Sequence, residues 1–226
     1  MTAISVITID GPSGSGKGTI AQLLAKSLGW HYLDSGAVYR AFGWAVLHYQ
    51  VDYHDVAAIS DLANRIKIVM QPADIGESAT VFVDNQEVTE EIRSESCGQM
   101  ASITSAIPLV RDAMLAQQRS FCQPPGLVTD GRDMGTVVFP DAILKFYLVA
   151  SAEVRANRRY HQLKQKGKPA SLSDILSELQ VRDERDANRA IAPAKPADDV
   201  ILIDSTSLNI DGVMQVVLQA VKDKVL

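Results

Sequence analysis

Nine consecutive residues near the start of the chain, Gly11-Pro12-Ser13-Gly14-Ser15-Gly16-Lys17-Gly18-Thr19, have the composition and spacing of an anion cradle. Glycines carry no Cβ, so the backbone can wrap closely and point successive N–H groups at one phosphate. The run follows an apolar stretch and leads into a helical pattern, the setting that the G-x-x-x-x-G-K motif requires. The N-terminus of that helix adds about half a positive charge, and Lys17 would reach β- and γ-phosphates. The strict motif places Ser or Thr directly after the lysine. Here Gly18 intervenes and the hydroxyl falls on Thr19, which weakens the case for direct magnesium ligation by a side chain. A plain tight turn would leave Lys17 unfavourably placed at a helix N-terminus with nothing negative to offset it.

The second chemical signal is a concentration of arginine. Between Glu153 and Lys195 there are ten Lys or Arg and six Asp or Glu, a local charge of +4 in a chain whose net charge is −5. A basic patch on an acidic body suits a small anionic ligand, and the overall sign is wrong for a protein that holds nucleic acid by electrostatics. Arg182 and Asp186 lie four residues apart, so they share one helical face, with Arg185 and Arg189 close to it. The same residues could form a salt-bridged surface helix. Asp130 and Asp133 could serve as turn or cap residues, and Ser35 could cap a following helix. His31, His48, His54 and His161 show no metal-ligand spacing. No N-K-x-D occurs, so guanine recognition of the GTPase kind lacks its usual carrier.

The elements that must carry these groups alternate. Strands are expected at Ile4 to Ile9, His31 to Leu33, Leu127 to Asp130, Ile143 to Val149 and Val200 to Ile203. Helices are expected at Lys17 to Leu28, Ala37 to Tyr49, Pro108 to Phe121, Ala152 to Lys166, Leu172 to Asn188 and Ile210 to Lys224. Strands separated by helices imply right-handed crossovers and a parallel sheet covered on both faces. Ile66 to Met70, Thr80 to Asp84 and Glu87 to Thr89 break the rhythm: they are short and β-branched, with Asp84-Asn85 as a turn, and read as an antiparallel insert.

With 46% apolar and 22% charged residues in 226, the chain can bury one core with an insert, and the composition argues against disorder. No apolar run approaches the roughly 20 residues that a bilayer needs. Residues 1 to 10 lack the basic start of a signal peptide, so a cytoplasmic location is expected. Cys97 and Cys122 stand 25 apart and support neither a disulfide framework nor a zinc knuckle.

Taken together, GPSGSGKGT at 11–19, LDSGAVYR at 33–40, DGRDMGTVVFPDA at 130–142, VRANRR at 154–159 and VRDERDANR at 181–189 resemble the bacterial cytidylate kinases, which are nucleoside monophosphate kinases. The likeness spans nearly the whole chain, and GKGT in place of the strict motif is normal among monophosphate kinases. It implies a three-layer α/β/α phosphate-loop fold with a five-stranded parallel sheet, the antiparallel insert and a helical lid. The core would comprise residues 1–35, 105–153 and 190–226, the monophosphate-binding segment residues 36–104, and the lid residues 154–189.

The resemblance also implies a reaction: the γ-phosphoryl of ATP passes to CMP or dCMP, with Mg2+ held mainly through phosphates and water. Lys17, Arg132, Arg158 and Arg189 would carry the transferring charge, and residues 11–19 would bind the donor. Arg40, Arg132 and Arg189 match the positions that hold the acceptor phosphate, and Arg182 and Asp186 those that contact the sugar. Arg155, Arg158 and Arg159 look like lid residues able to close over ATP phosphates. Asp133 and Arg111, with Ser35 beside them, match the base readers. Cytosine offers an N4 donor and an N3 acceptor, which suit a carboxylate and a guanidinium, whereas uracil reverses both. The implied partners are small molecules, with no nucleic acid or membrane, and a monomer is expected. A phosphate-loop kinase for UMP or a coenzyme precursor, or a nucleotide-sensing module without turnover, are the rival readings.

Overall fold

The computed structural model describes residues 4–71, 79–165 and 167–224. Strand β1 (Val6–Asp10) is buried along its whole length, and its unbroken run of β-branched residues suits a central strand covered on both faces. It pairs in parallel with β6 (Leu127–Gly131) on one side and β7 (Leu144–Val149) on the other. Strands β2 (His31–Asp34) and β8 (Ile201–Asp204) complete a five-stranded parallel sheet in the order β2-β6-β1-β7-β8. The expected strands are all present, displaced by at most two residues.

Helices cover both faces. Helix α1 (Lys17–Leu28) opens from Gly16 and closes at Gly29, both left-handed. Its Ile20 and Leu24 share a core with Ile7, Ile9 and Phe146 of the sheet and with Val213 and Val217 of α8 (Ile210–Lys224). The opposite core joins Phe42 and Trp44 of α2 (Ser35–His48) to Val110 and Met114 of α5 (Pro108–Ser120). Helix α6 (Ala152–Gln165) packs on α7 (Leu172–Ala187) through Ala156, Ile175 and Leu179. The expected end of α6 at Lys166 lies outside the described residues.

The insert is antiparallel, as its short β-branched runs imply. Strands β3 (Ile68–Gln71), β4 (Thr80–Val83) and β5 (Gln86–Glu87) form a separate sheet. Asp84 and Asn85 connect β4 to β5 with φ of 47° and 68°, the two-residue turn whose twist matches paired strands. Val81 and Val83 face the same core as α2. Two further helices flank this sheet, α3 (Val56–Arg65) and α4 (Glu95–Thr104). A Cβ on Gly43 of α2 would lie 2.9 Å from the Ala101 nitrogen and 3.0 Å from the Cys97 carbonyl oxygen, so α4 crosses α2 at near backbone contact. Helix α4 escaped the sequence reading because its Gly98, serines and β-branched residues make a weak helical pattern that this contact overrides.

Candidate functional site

Strand β1 delivers the chain directly into the glycine run. Gly11 has φ of 150°, and a Cβ there would lie 2.1 Å from the Leu148 carbonyl oxygen, so no other residue fits. Lys17 Nζ folds back and donates to the Pro12 carbonyl at 3.1 Å. The outer side of the loop is held by α6. Arg155 Nη1 donates to the Ser13 carbonyl at 2.9 Å and pairs with Asp183 at 2.6 Å. Arg158 Nη1 donates to the Ser15 carbonyl at 3.0 Å, and its Nη2 to the Ser205 carbonyl at 2.7 Å. Loop carbonyls are thereby occupied by guanidiniums on the outside.

Beside β1, strand β6 ends in Asp130-Gly131 and delivers Arg132 and Asp133. The two form opposite contacts. Arg132 Nε bonds Asp186 of α7 at 2.8 Å, and its Nη1 donates to the Gly11 carbonyl at 2.9 Å. Asp133 pairs directly with Arg111 of α5, whose Nη1 also donates to the Ser105 carbonyl at 3.2 Å. The Gln118 side-chain amide donates to Ser35 Oγ at 3.4 Å. Asp34, rather than Ser35, caps α2, accepting from the Ala37 nitrogen at 3.2 Å, and Asp133 makes no side-chain cap bond to the turn of π-helix at Met134–Val138. The cap alternatives for Ser35 and Asp133 are therefore set aside.

A cleft of about 550 Å3 runs between these groups. Ser13, Gly14, Gly16, Lys17, Gly18 and Thr19 line it, and so do Ser35, Arg40 and Asp133. Arg132, Arg182, Asp186 and Arg189 lie along its wall. Arg159 borders it too and pairs with Glu95 of α4 at 2.9 Å. Gly11, Pro12, Ser15, Arg111 and Arg158 stand outside this lining, Arg111 behind Asp133 and Arg158 behind the loop. Arg40 Nη1 donates to the Ile92 carbonyl at 3.4 Å. The face of α7 that carries Arg182 and Asp186 is not a solvated surface: the Asp186 side chain is only 6% exposed.

Positive charge exceeds negative in this cleft. Burial, then the nearby Arg132, lowers the Lys17 pKa below that of an ordinary lysine. Arg182 is brought down to about 10 by burial and again by Arg132. Burial also lowers Arg189, whose Nε and Nη2 have no hydrogen-bond partner among the described residues, as is true of Arg182 Nε. Asp186 goes the other way: despite burial, Arg132 and Arg182 hold its carboxyl below the usual range. Buried donors without partners are costly, and an anion between them would satisfy them. At the loop end, burial and Asp34 raise Asp130, which accepts from the Tyr32 hydroxyl at 2.6 Å. Its oxygens lie 3.6 and 3.7 Å from where a Gly18 side chain would begin, so this carboxylate stands beside the loop and faces it across Gly18.

Several of these groups gave no sequence signal. Tyr32, Ser105 and Gln118 are not singled out by the sequence, and Asp34 enters only as part of the 33–40 motif; folding brings Asp34 and Ser105 to the cleft lining, with Tyr32 behind Asp130 and Gln118 behind Ser35. Asp10 did give one, a carboxylate closing a buried strand rich in β-branched residues. It is 4% exposed and accepts from the Met134 and Gly135 nitrogens at 2.9 and 2.8 Å.

Comparison with known proteins agrees with this geometry. The cytidylate kinase family profile matches residues 7–223. The cytidylate kinase of Coxiella burnetii is 51% identical over 219 residues, covering 97% of this chain and 92% of its own. That of Stutzerimonas stutzeri is 51% identical over 221 residues, covering 98% and 96%. That of Pseudomonas syringae pv. tomato is 52% identical over 216 residues, covering 96% and 94%.

Proposed function

Because the chain belongs to the cytidylate kinase family, a family of nucleoside monophosphate kinases, we propose a division of labour for its cleft in which the two ends hold two nucleotides phosphate to phosphate. The phosphate loop and Lys17 bind the β- and γ-phosphates of ATP. Arg40, Arg132 and Arg189 bind the phosphate of CMP or dCMP. Arg182 and Asp186 meet the sugar, and Asp133 and Arg111, with Ser35, read the cytosine edge. The observation that carries this reading is the set of buried N–H groups on Arg182 and Arg189 that have no hydrogen-bond acceptor among the described residues and share a cleft with the phosphate loop.

Phosphoryl transfer asks little covalent chemistry of a protein. It asks for in-line placement and for positive charge where the transferred group's oxygens gain negative charge. Rigid guanidinium forks supply both, and they stay ionised even when burial lowers their pKa. No general base is needed, since the attacking phosphate oxygen is already ionised near neutral pH. Lys17 and the α1 N-terminus face the leaving side of the transfer, and Arg132 and Arg189 the entering side. Arg158 acts on the transfer indirectly, holding the shape of the loop from behind through the Ser15 carbonyl to which it donates.

Magnesium suits this site as an ion brought by the donor phosphates. Among the described residues no group of three His, Cys, Asp or Glu is placed to hold one alone. Asp130, facing the loop across Gly18, would hold a water of its coordination sphere, and the ion would neutralise phosphate charge. Helices α6 and α7 would close over both nucleotides and keep water from the γ-phosphoryl. No helix among the described residues is long and apolar enough to cross a membrane. On this reading the enzyme works as a cytoplasmic monomer on free nucleotides.

The test is a coupled assay of ADP release with ATP and a panel of CMP, dCMP, UMP and AMP. CMP and dCMP should give the largest kcat/KM. A preference for UMP or AMP, or no turnover with any of the four, would refute the reading.

A further inference from the structure

Asp10 belongs to none of the groups assigned above and does not line the cleft, yet it joins the strand that leads into the phosphate loop to the segment that follows Arg132 and Asp133. It is the last residue of β1, so the next peptide already belongs to the phosphate loop. Its two carboxylate oxygens each take a backbone N–H from the segment that follows Asp133, Oδ1 from Met134 and Oδ2 from Gly135. One residue further, the Gly11 carbonyl accepts from Arg132 Nη1 at 2.9 Å. Three hydrogen bonds thus tie residues 10–11 to residues 132–135. The approach is built to be close: a Cβ on Gly135 would lie 2.8 Å from Thr8 Oγ1 and 3.2 Å from the Lys145 side chain. A carboxylate is unusually suited to such a clasp, since it can accept two bonds at once with no donor of its own to place.

We propose that Asp10 is a positioning residue for the acceptor site, clasping the segment that bears Arg132 and Asp133 so that acceptor phosphate and base readers keep a fixed place relative to the phosphate loop. This rests on the acceptor-site reading given above. It assigns Asp10 no contact with either nucleotide. Small displacements of groups that orient a reacting phosphate cost rate out of proportion to their size.

The test compares wild type with Asp10→Asn, which offers one acceptor and adds a donor that faces an N–H. At pH 7.5 the KM for CMP should rise about tenfold, the KM for ATP should change less than about twofold, and the CMP-to-UMP ratio of kcat/KM should fall about fivefold or more. A lowered Tm with all three values unchanged overturns the inference, leaving Asp10 a purely structural group. Gly135→Ala displaces the same clasp without altering charge and should show the same pattern. Should neither variant fold, amide exchange in the wild type decides: slower exchange at Met134 and Gly135 with CMP but not with ADP supports the clasp, and indifference to CMP overturns it. Absence of CMP preference in the wild type would sink the reading of the base slot, whereas a preference kept intact in the variants sinks only the clasp.

Discussion

Arg111 and Asp133 form a direct ion pair with side chains only 7% and 5% exposed, so the two groups assigned to the cytosine edge are bonded to each other. Each fixes the other, and the slot is preorganised. Neither residue can be removed without leaving a buried charge behind.

Asp133→Ala should therefore do two things. It should lower kcat/KM for CMP by about 100-fold or more while leaving the KM for ATP near its wild-type value. It should also cost about 3–5 kcal/mol of stability, because Arg111 is stranded. Steady-state kinetics and denaturant unfolding check the two separately, and equal damage to both nucleotides would remove Asp133 from base reading.

Lys17→Met removes the cation of the phosphate loop while keeping most of its stem. Turnover should fall by about 1,000-fold. Rates within a few-fold of wild type in that variant would take Lys17 out of the mechanism.

Arg189 has two nitrogens without a hydrogen-bond partner among the described residues and one weak bond to Ser105 Oγ at 3.4 Å. A lysine there keeps the charge and loses the fork. Arg189→Lys should reduce kcat/KM for CMP by about 100-fold, with little change in Tm, as a thermal shift measured beside the kinetics would reveal. A variant as active as wild type would mean that charge alone suffices.

Arg158 behaves differently, since its guanidinium is spent on the carbonyls of Ser15 and Ser205. Arg158→Ala should raise the KM for ATP about tenfold and leave that for CMP within about twofold. An effect confined to CMP would contradict the placement of Arg158 behind the donor loop.

Asp10 makes stability depend on pH. Burial raises its pKa from 3.8 to about 6, against the pull of its two amide bonds and of Lys17, with Asp133 pushing the same way as burial. Tyr147 also faces it. Between those two values the folded chain holds a proton that the unfolded chain has released, so stability falls as pH rises from 4 to 6 and levels off above. The loss amounts to about 3 kcal/mol. Calorimetry of wild type and Asp10→Asn at several pH values should show the difference between them shifting toward the wild type in acid; a constant difference would refute the shift.

How much of this was readable in advance divides by distance along the chain. The phosphate loop, helix α1 and the hairpin turn at Asp84-Asn85 depend on neighbouring residues, where glycine freedom, a helix start and turn chemistry are decided within a few peptide units. The sequence alone therefore determined the loop, the alternating parallel core, the antiparallel insert and, through five matching motifs, the family. It could not determine that Arg158 grips a carbonyl 143 residues away, that Arg132 reaches back 121 residues to Gly11, or that Asp10 clasps Met134 and Gly135. Nor could it decide whether the charged run at 181–189 met water or a cleft. Those outcomes depend on which strands become neighbours: only when β6 pairs beside β1 do the two strand ends, and the residues they carry, share one small buried volume.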